Sequence, residues 1–219
     1  MAVAHVQNWT GVYSTSGSAT ISGTAVTAGN WLVAGVRYAS GGSVDVVPSP
    51  FTSVFSRDNS PSGATVLEVF IGKAVGGETS FEFGDSGAAM AVVLGEFTNI
   101  LATSPTDVSA SSEAGSATSA TTGTTAETAQ ADALAVAFMV SSGGIFSSPS
   151  CATDFTLGST ATGLRAAMAW KILSATGTQA GTWSWTTSAV TATGILVLKG
   201  LAASGGGNGS AQWTEQRRR

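Results

Sequence analysis

The chain of 219 residues contains one cysteine, Cys151, and one histidine, His5. A lone cysteine forms no internal disulfide, so the class of small disulfide-stapled domains is excluded. One histidine and one cysteine cannot build a zinc site. Charge is scarce as well: Asp, Glu, Lys and Arg make up 10% of the residues, against about a quarter in ordinary soluble domains. Nine basic residues stand against thirteen acidic ones, giving a formal charge of −4 and an isoelectric point near 4.8. That balance argues against a basic nucleic-acid binder. Leu, Glu, Lys and Arg are too few for long helices. No apolar run reaches the ~18 residues of a membrane-spanning helix, and the longest, near Ala88–Leu94 and Ala133–Val140, are strand-sized. Met1–Thr10 shows neither the basic start nor the apolar centre of a signal peptide. With 43% hydrophobic residues and little charge, the chain is also not of the charge-rich disordered kind.

What remains is rich in glycine, with 28 residues, and in serine and threonine. Short runs of Val, Ile, Phe, Trp and Thr lie between Gly, Ser, Asn and Pro, which is the pattern of strands and turns. The first series of strands is expected at Val3–Gln7, Ala19–Val26, Trp31–Tyr38, Ser43–Val47, Thr52–Arg57, Thr65–Lys73, Thr79–Phe83 and Ala88–Phe97. A second is expected at Ala117–Thr125, Leu134–Ser141, Asp154–Leu157, Leu164–Ile172, Thr182–Thr186 and Thr191–Leu201. Phe81-Glu82-Phe83 and Trp183-Ser184-Trp185 alternate cleanly, whereas Ala91–Leu94 and Gly194–Leu198 are apolar throughout and suit strands covered on both faces.

The two series match in order. Gly29–Gly42 reads GNWLVAGVRYASGG and Ala131–Gly144 reads ADALAVAFMVSSGG. At that offset Phe81 and Phe83 fall on Trp183 and Trp185. An internal repeat of this kind permits two stacked small domains or the two Greek keys of one jelly roll. The single sandwich is favoured, because each half offers only five or six strands and the link Ala102–Gln130 has no Pro-rich or charged character. That link is expected to hold one Thr-rich edge strand and a surface loop. The expected fold is therefore all-β: an antiparallel, jelly-roll-like sandwich over residues 1–203, with halves of about 1–101 and 102–203.

Few residues suggest chemistry. Gly84-Asp85-Ser86-Gly87 resembles the surroundings of a protease nucleophile, but the single histidine, His5, lacks any accompanying motif, so a polar turn is expected. Glu68, Glu78, Glu82, Asp85 and Glu96 could offer a carboxylate pair for glycoside hydrolysis. Their strand and turn positions point to solvated groups instead. Asp45, Asp58 and Asp85 do not form a calcium loop, and no phosphate-binding glycine loop precedes a helix. No cofactor or metal is expected. Asn8-Trp9-Thr10 and Asn208-Gly209-Ser210 match the glycosylation sequon by coincidence in this reading. Trp9, Trp31, Trp170, Trp183 and Trp185 are expected in the core, with indole N–H groups near the sheet rim, over the rival view of a sugar-stacking face.

The character changes at the end. Ser204–Ser210 reads SGGGNGS, a flexible tether by composition, followed by AQWTEQRRR. Trp213, Arg217, Arg218 and Arg219 are the candidate partner-binding residues, since Trp and Arg are favoured interface anchors. Without those three arginines six basic residues remain against thirteen acidic, so a basic tip hangs from an acidic body.

The opening segment with Val6 and Gly11, Leu32–Val36, Leu67–Ile71, Ala131–Leu134, the Trp183–Trp185 pair and the closing Gly194–Gly200 strand together resemble a family. It comprises Gly/Ser/Thr/Ala-rich β-sandwich virion proteins of tailed bacteriophages, and the likeness covers about residues 3–202. The resemblance implies a non-enzymatic virion protein assembled in the host cytoplasm, most simply a capsid decoration or cement protein on the head exterior. Its partners would be the major capsid protein or another virion protein, and further copies of itself, with no nucleic acid and no membrane. The alternative is a tail-fibre or receptor-binding module for host-surface glycans.

Overall fold

Val-, Ile-, Trp- and Thr-rich runs separated by Gly, Pro and Asn turns fold as strands from Ala4 to Leu198. A computed structural model describes residues 1–39, 42–59, 65–85, 89–143, 148–152, 154–161, 163 and 165–201. Among them the strands in chain order are β1 (Ala4–Ser14), β2 (Ser18–Ser22), β3 (Trp31–Tyr38), β4 (Val44–Val46), β5 (Thr52–Asp58), β6 (Val66–Lys73) and β7 (Ser80–Asp85). They continue with β8 (Met90–Thr98), β9 (Thr106–Thr121), β10 (Ala133–Ser141), β11 (Ser150–Cys151), β12 (Thr156–Thr160), β13 (Ala166–Leu173) and β14 (Thr182–Leu198). No helix occurs among the described residues, and every ladder between these strands is antiparallel.

The repeat is written in the strand order. Residues 4–98 form a large sheet, β1-β8-β3-β6-β5, and a small one, β2-β7-β4. Residues 106–198 form β9-β14-β10-β13-β12 and, on the same two long strands, β9-β14-β11. The first half breaks each long strand in two, so β1 and β2 together correspond to β9, and β7 and β8 to β14. Side chains then sort into layers. Leu32, Ala34 and Val36 of β3 pack with Ile21, Phe81 and Phe83 of the small sheet. In the second half Ala135, Ala137 and Met139 of β10 pack with Trp183 and Trp185. Between the two large sheets lie Val33, Leu67, Val69 and Phe97 from one half and Leu134, Val136, Phe138, Met168 and Leu196 from the other. Phe81/Phe83 and Trp183/Trp185 thus play one role twice.

One detail of the repeat differs from the sequence alignment. Matching Gly29–Gly42 with Ala131–Gly144 sets Trp31 on Ala133, yet Trp31 faces the other half whereas Ala133 faces its own small sheet. The true correspondence is displaced by one residue. Both strands are buried on both faces, so hydrophobicity does not mark which face is which, and a slip of one residue exchanges the faces unnoticed.

The contacts between halves are reciprocal, as across an approximate two-fold axis. β1 meets β12, where Gly11 bridges Ala161 and the Ser159 hydroxyl donates to the Trp9 carbonyl at 2.6 Å. In the matching place β5 meets β9: Arg57 pairs with Glu113 at 3.5 Å, and the Asn59 amide donates to the Ala114 carbonyl at 3.1 Å and to that of Thr191. Past the last strands, Leu101 N–H donates to the Lys199 carbonyl at 2.8 Å and Leu201 N–H to that of Asn99 at 2.7 Å. Lateral edges, a liability in open sheets, are in this way partly covered.

Several elements depart from the expected ones, β1 among them, which runs on to Ser14 instead of ending at Gln7. The edge strand expected in the link is present as β9, but it begins at Thr106 instead of Ala117; TDVSASSEAGSATSAT has almost no bulky residue, and the early part is extended by pairing with β14 rather than by propensity. β14 is a single strand where two were expected. Ser150–Cys151 forms a short edge strand with no sequence signal.

Candidate functional site

The expected contact residues Trp213, Arg217, Arg218 and Arg219 lie outside the described residues, as does the tether from Ser204. What can be located is their point of departure. Leu201 is bonded to Asn99, at the end of the sandwich marked by Trp31 and Ala133.

The described members of the protease-like motif, His5 and Asp85, do not come together. His5 pairs with Phe97 at one end of β8, and its ring stacks on Trp170, centroids 4.7 Å apart. Asp85 bonds through its N–H to the Gly17 carbonyl, beside the Met90 end. Seven residues of strand separate the two ends, about 23 Å. Ser86 and Gly87 lie outside the described residues. Among those described, no three His, Cys, Asp or Glu side chains converge as metal ligands.

The carboxylates were expected to be solvated, and Glu96 is not: it is 1% exposed. Its Oε1 accepts from Asn30 Nδ2 at 2.6 Å and from Thr27 N–H at 2.9 Å, and its Oε2 from Gln7 Nε2 at 2.6 Å. Glu96 therefore pins the 23–30 connection to β8. The signal was present, a single charge inside the apolar run Ala91–Phe97, and sequence reasoning missed it. Arg37 is its counterpart at the opposite end, 4% exposed. It donates to the carbonyls of Ala89, Ser141 and Ser142 at 2.7, 3.2 and 3.1 Å and to the Thr65 hydroxyl at 3.1 Å, tying the halves together. Burial, and then the neighbouring Arg165, pull its pKa below the ordinary arginine value.

Trp9, Trp31, Trp183 and Trp185 are buried and Trp170 is half-buried, so the expected core role holds. The indole N–H groups are not at a wet rim, however. Those of Trp9, Trp31, Trp170 and Trp183 are enclosed with no acceptor among the described residues. Asn8 sits within β1 with its side-chain oxygen enclosed, which does not present a sequon.

The connection from β9 to β10 contains a device the sequence did not announce. Thr122, Thr125 and Thr128 are buried and spaced three apart. Their N–H groups donate to the carbonyls of Gly181, Gln179 and Gly177 at 2.9, 2.9 and 3.2 Å. Their hydroxyl oxygens accept from the N–H groups of the same three residues at 2.9, 2.9 and 3.1 Å. Each threonine thus imitates a full ladder position with its own side chain. The first half uses the same spacing with backbone alone, at Gly23, Val26 and Gly29.

Below this ladder lies an open depression of about 280 Å³, whose lining includes Asp154, Lys171, Ile172, Leu173, Thr176 and Gln179. Lys171 Nζ donates to Asp154 Oδ2 at 2.7 Å and lies 4.6 Å from the Phe155 ring centroid. The hydrogen bond from Lys171 holds Asp154 below the ordinary carboxylate range. The Asp154 side chain stays 59% exposed and Ile172 is 42% exposed. This polar cleft with an aliphatic wall was not anticipated; Lys171 and Asp154 carry no motif. No family model, curated protein or solved structure matches the chain.

Proposed function

We propose that the chain is a non-enzymatic structural protein of a bacteriophage virion, a capsid decoration protein held on the head exterior by its C-terminal peptide. Trp213 and Arg217, Arg218 and Arg219 are its contact residues, and an acidic surface of the major capsid protein is their mate. The observation that carries this reading is the use made of buried charge. Among the described residues the buried charged side chains are Arg37 and Glu96, and both commit their hydrogen bonds to holding sheets and halves together. Such a body suits an assembly role, to which the basic peptide adds attachment. Co-sedimentation with capsids lacking the protein tests it. The full chain should decorate the head lattice by electron microscopy, and a chain ending at residue 203 should bind much more weakly. Equal binding by the shortened chain sinks the docking role of the peptide.

A second reading, recognition of host-surface glycans, is favoured by one observation, the depression at Asp154 and Lys171. The tryptophan platform first considered for such a role is not its support, since those rings are core.

A further inference from the structure

We propose that the depression formed by Asp154, Lys171, Ile172, Thr176 and Gln179 binds a neutral sugar unit of a polysaccharide. The proposal rests on the glycan reading above and is independent of capsid attachment. A sugar ring presents adjacent hydroxyls, each donor and acceptor, and patches of C–H. The lining offers a complement to each. Asp154 is acceptor-only; one lone pair accepts from Lys171 and the carboxylate also draws on a backbone N–H, and with the side chain 59% exposed further lone pairs remain for neighbouring hydroxyls. The Lys171 ammonium has three donors. One goes to Asp154 and the Phe155 ring occupies another direction, leaving a donor for a ring or hydroxyl oxygen. Gln179 Nε2 donates to the Gly177 carbonyl at 3.2 Å, and its amide oxygen remains an acceptor. Ile172, one of the few large apolar side chains exposed among the described residues, supplies a surface for the C–H face. The charges of Asp154 and Lys171 offset one another, which selects a neutral ligand. The volume, about 280 Å³, is at the small end of ligand sites and suits one or two sugar units of a chain running across the surface.

The wall is held in advance. Gln179 N–H is bonded to the Thr125 hydroxyl and Gly177 N–H to that of Thr128, so the segment carrying the amide does not have to be ordered on binding.

Saturation-transfer NMR on the full chain, with a panel of neutral hexoses, N-acetylhexosamines and acidic sugars, tests this, followed by a glycan array. Neutral sugars should give transfer, with affinities on the order of millimolar for one unit. Asp154→Ala and Gln179→Ala should each weaken binding about tenfold or more, with the thermal midpoint unchanged in Gln179→Ala. Ile172→Ser, at an exposed position, gives the same readout should a polar variant fold poorly. Transfer to no member of the panel, transfer to acidic sugars alone, or undiminished binding by all three variants overturns the proposal. Capsid co-sedimentation of the same variants separates the two readings: variants that lose sugar but still decorate heads leave capsid attachment standing.

Discussion

At the scale of single residues, the strongest dependence falls on Glu96. Glu96→Ala leaves the buried Asn30 amide without its acceptor and takes one from the partly buried Gln7 and Thr27 bonds, and should cost on the order of 2–3 kcal/mol in denaturant unfolding. Glu96→Gln keeps one acceptor and should cost less. Cys151 and Tyr38 govern the alkaline side. Burial pushes the Cys151 thiol from 9.0 up to about 12. Burial, then the Glu68 carboxylate that the hydroxyl bonds at 3.1 Å, pushes Tyr38 above its ordinary range. Both groups hold their protons more tightly folded than unfolded. Their contribution to stability is therefore complete below the unfolded pKa and declines as pH rises through about 9 to 12. Urea midpoints should fall over that window, and less steeply for Cys151→Ala; parallel curves would refute the assignment. Little of this was legible in sequence. Glu96 looked like its solvated neighbours because a single letter does not say which face of a doubly covered strand it occupies, or that Asn30 lies across from it.

At the scale of elements, the threonine ladder makes a sharp prediction. Thr125→Val preserves shape and removes the acceptor for Gln179 N–H, so about 1–2 kcal/mol should be lost, and Thr125→Ser should restore most of it. Hydrogen exchange at Gln179 reports the same bond directly and should accelerate in the valine variant. Edge closure makes another. A Cβ on Gly11 would sit 2.7 Å from the backbone of Thr160 and Ala161, which cannot rotate away. Gly11→Ala should therefore prise β1 from β12 and lower the thermal midpoint, by roughly 2 kcal/mol of stability. An unchanged midpoint would mean that this contact is dispensable. Strands of mixed large residues, such as Trp31–Tyr38 and Val66–Lys73, were legible from composition. The end of β9 was read from its Thr-rich letters as well, but its first part, from Thr106 to Ser116, and the spacing of Thr122, Thr125 and Thr128 were not. In that first part the extended form is imposed by β14, far along the chain, and the local letters do not announce it.

At the scale of the molecule, each large sheet is local in sequence and each presents an apolar face to the other. A chain cut in the 102–104 segment should therefore reassemble when both pieces are made together, and a tag on one piece should recover both. Either piece alone should self-associate or precipitate through its uncovered face. Two pieces that stay soluble and separate would contradict the seam described here. The doubling was legible because Phe81/Phe83 and Trp183/Trp185 keep their alternation. The reciprocal fit of the halves was not, since it depends on which face each strand turns inward.

The reciprocal bonds at Asn99–Leu101 and Lys199–Leu201 give the molecule a direction. Asn99 also holds the Ala2 carbonyl at 2.8 Å, so the start of the described chain and its last described residue emerge side by side. The ends of β3, β7 and β10 at Tyr38, Asp85 and Ser141 lie at the far pole, about 25 Å away along the strands. Anything gripped through the last residues would be held at the near pole, with the far pole turned outward like the head of a pin. Fluorophores placed at Ala2 and at Leu201 should report close proximity, and one moved from Leu201 to Ser142 should not.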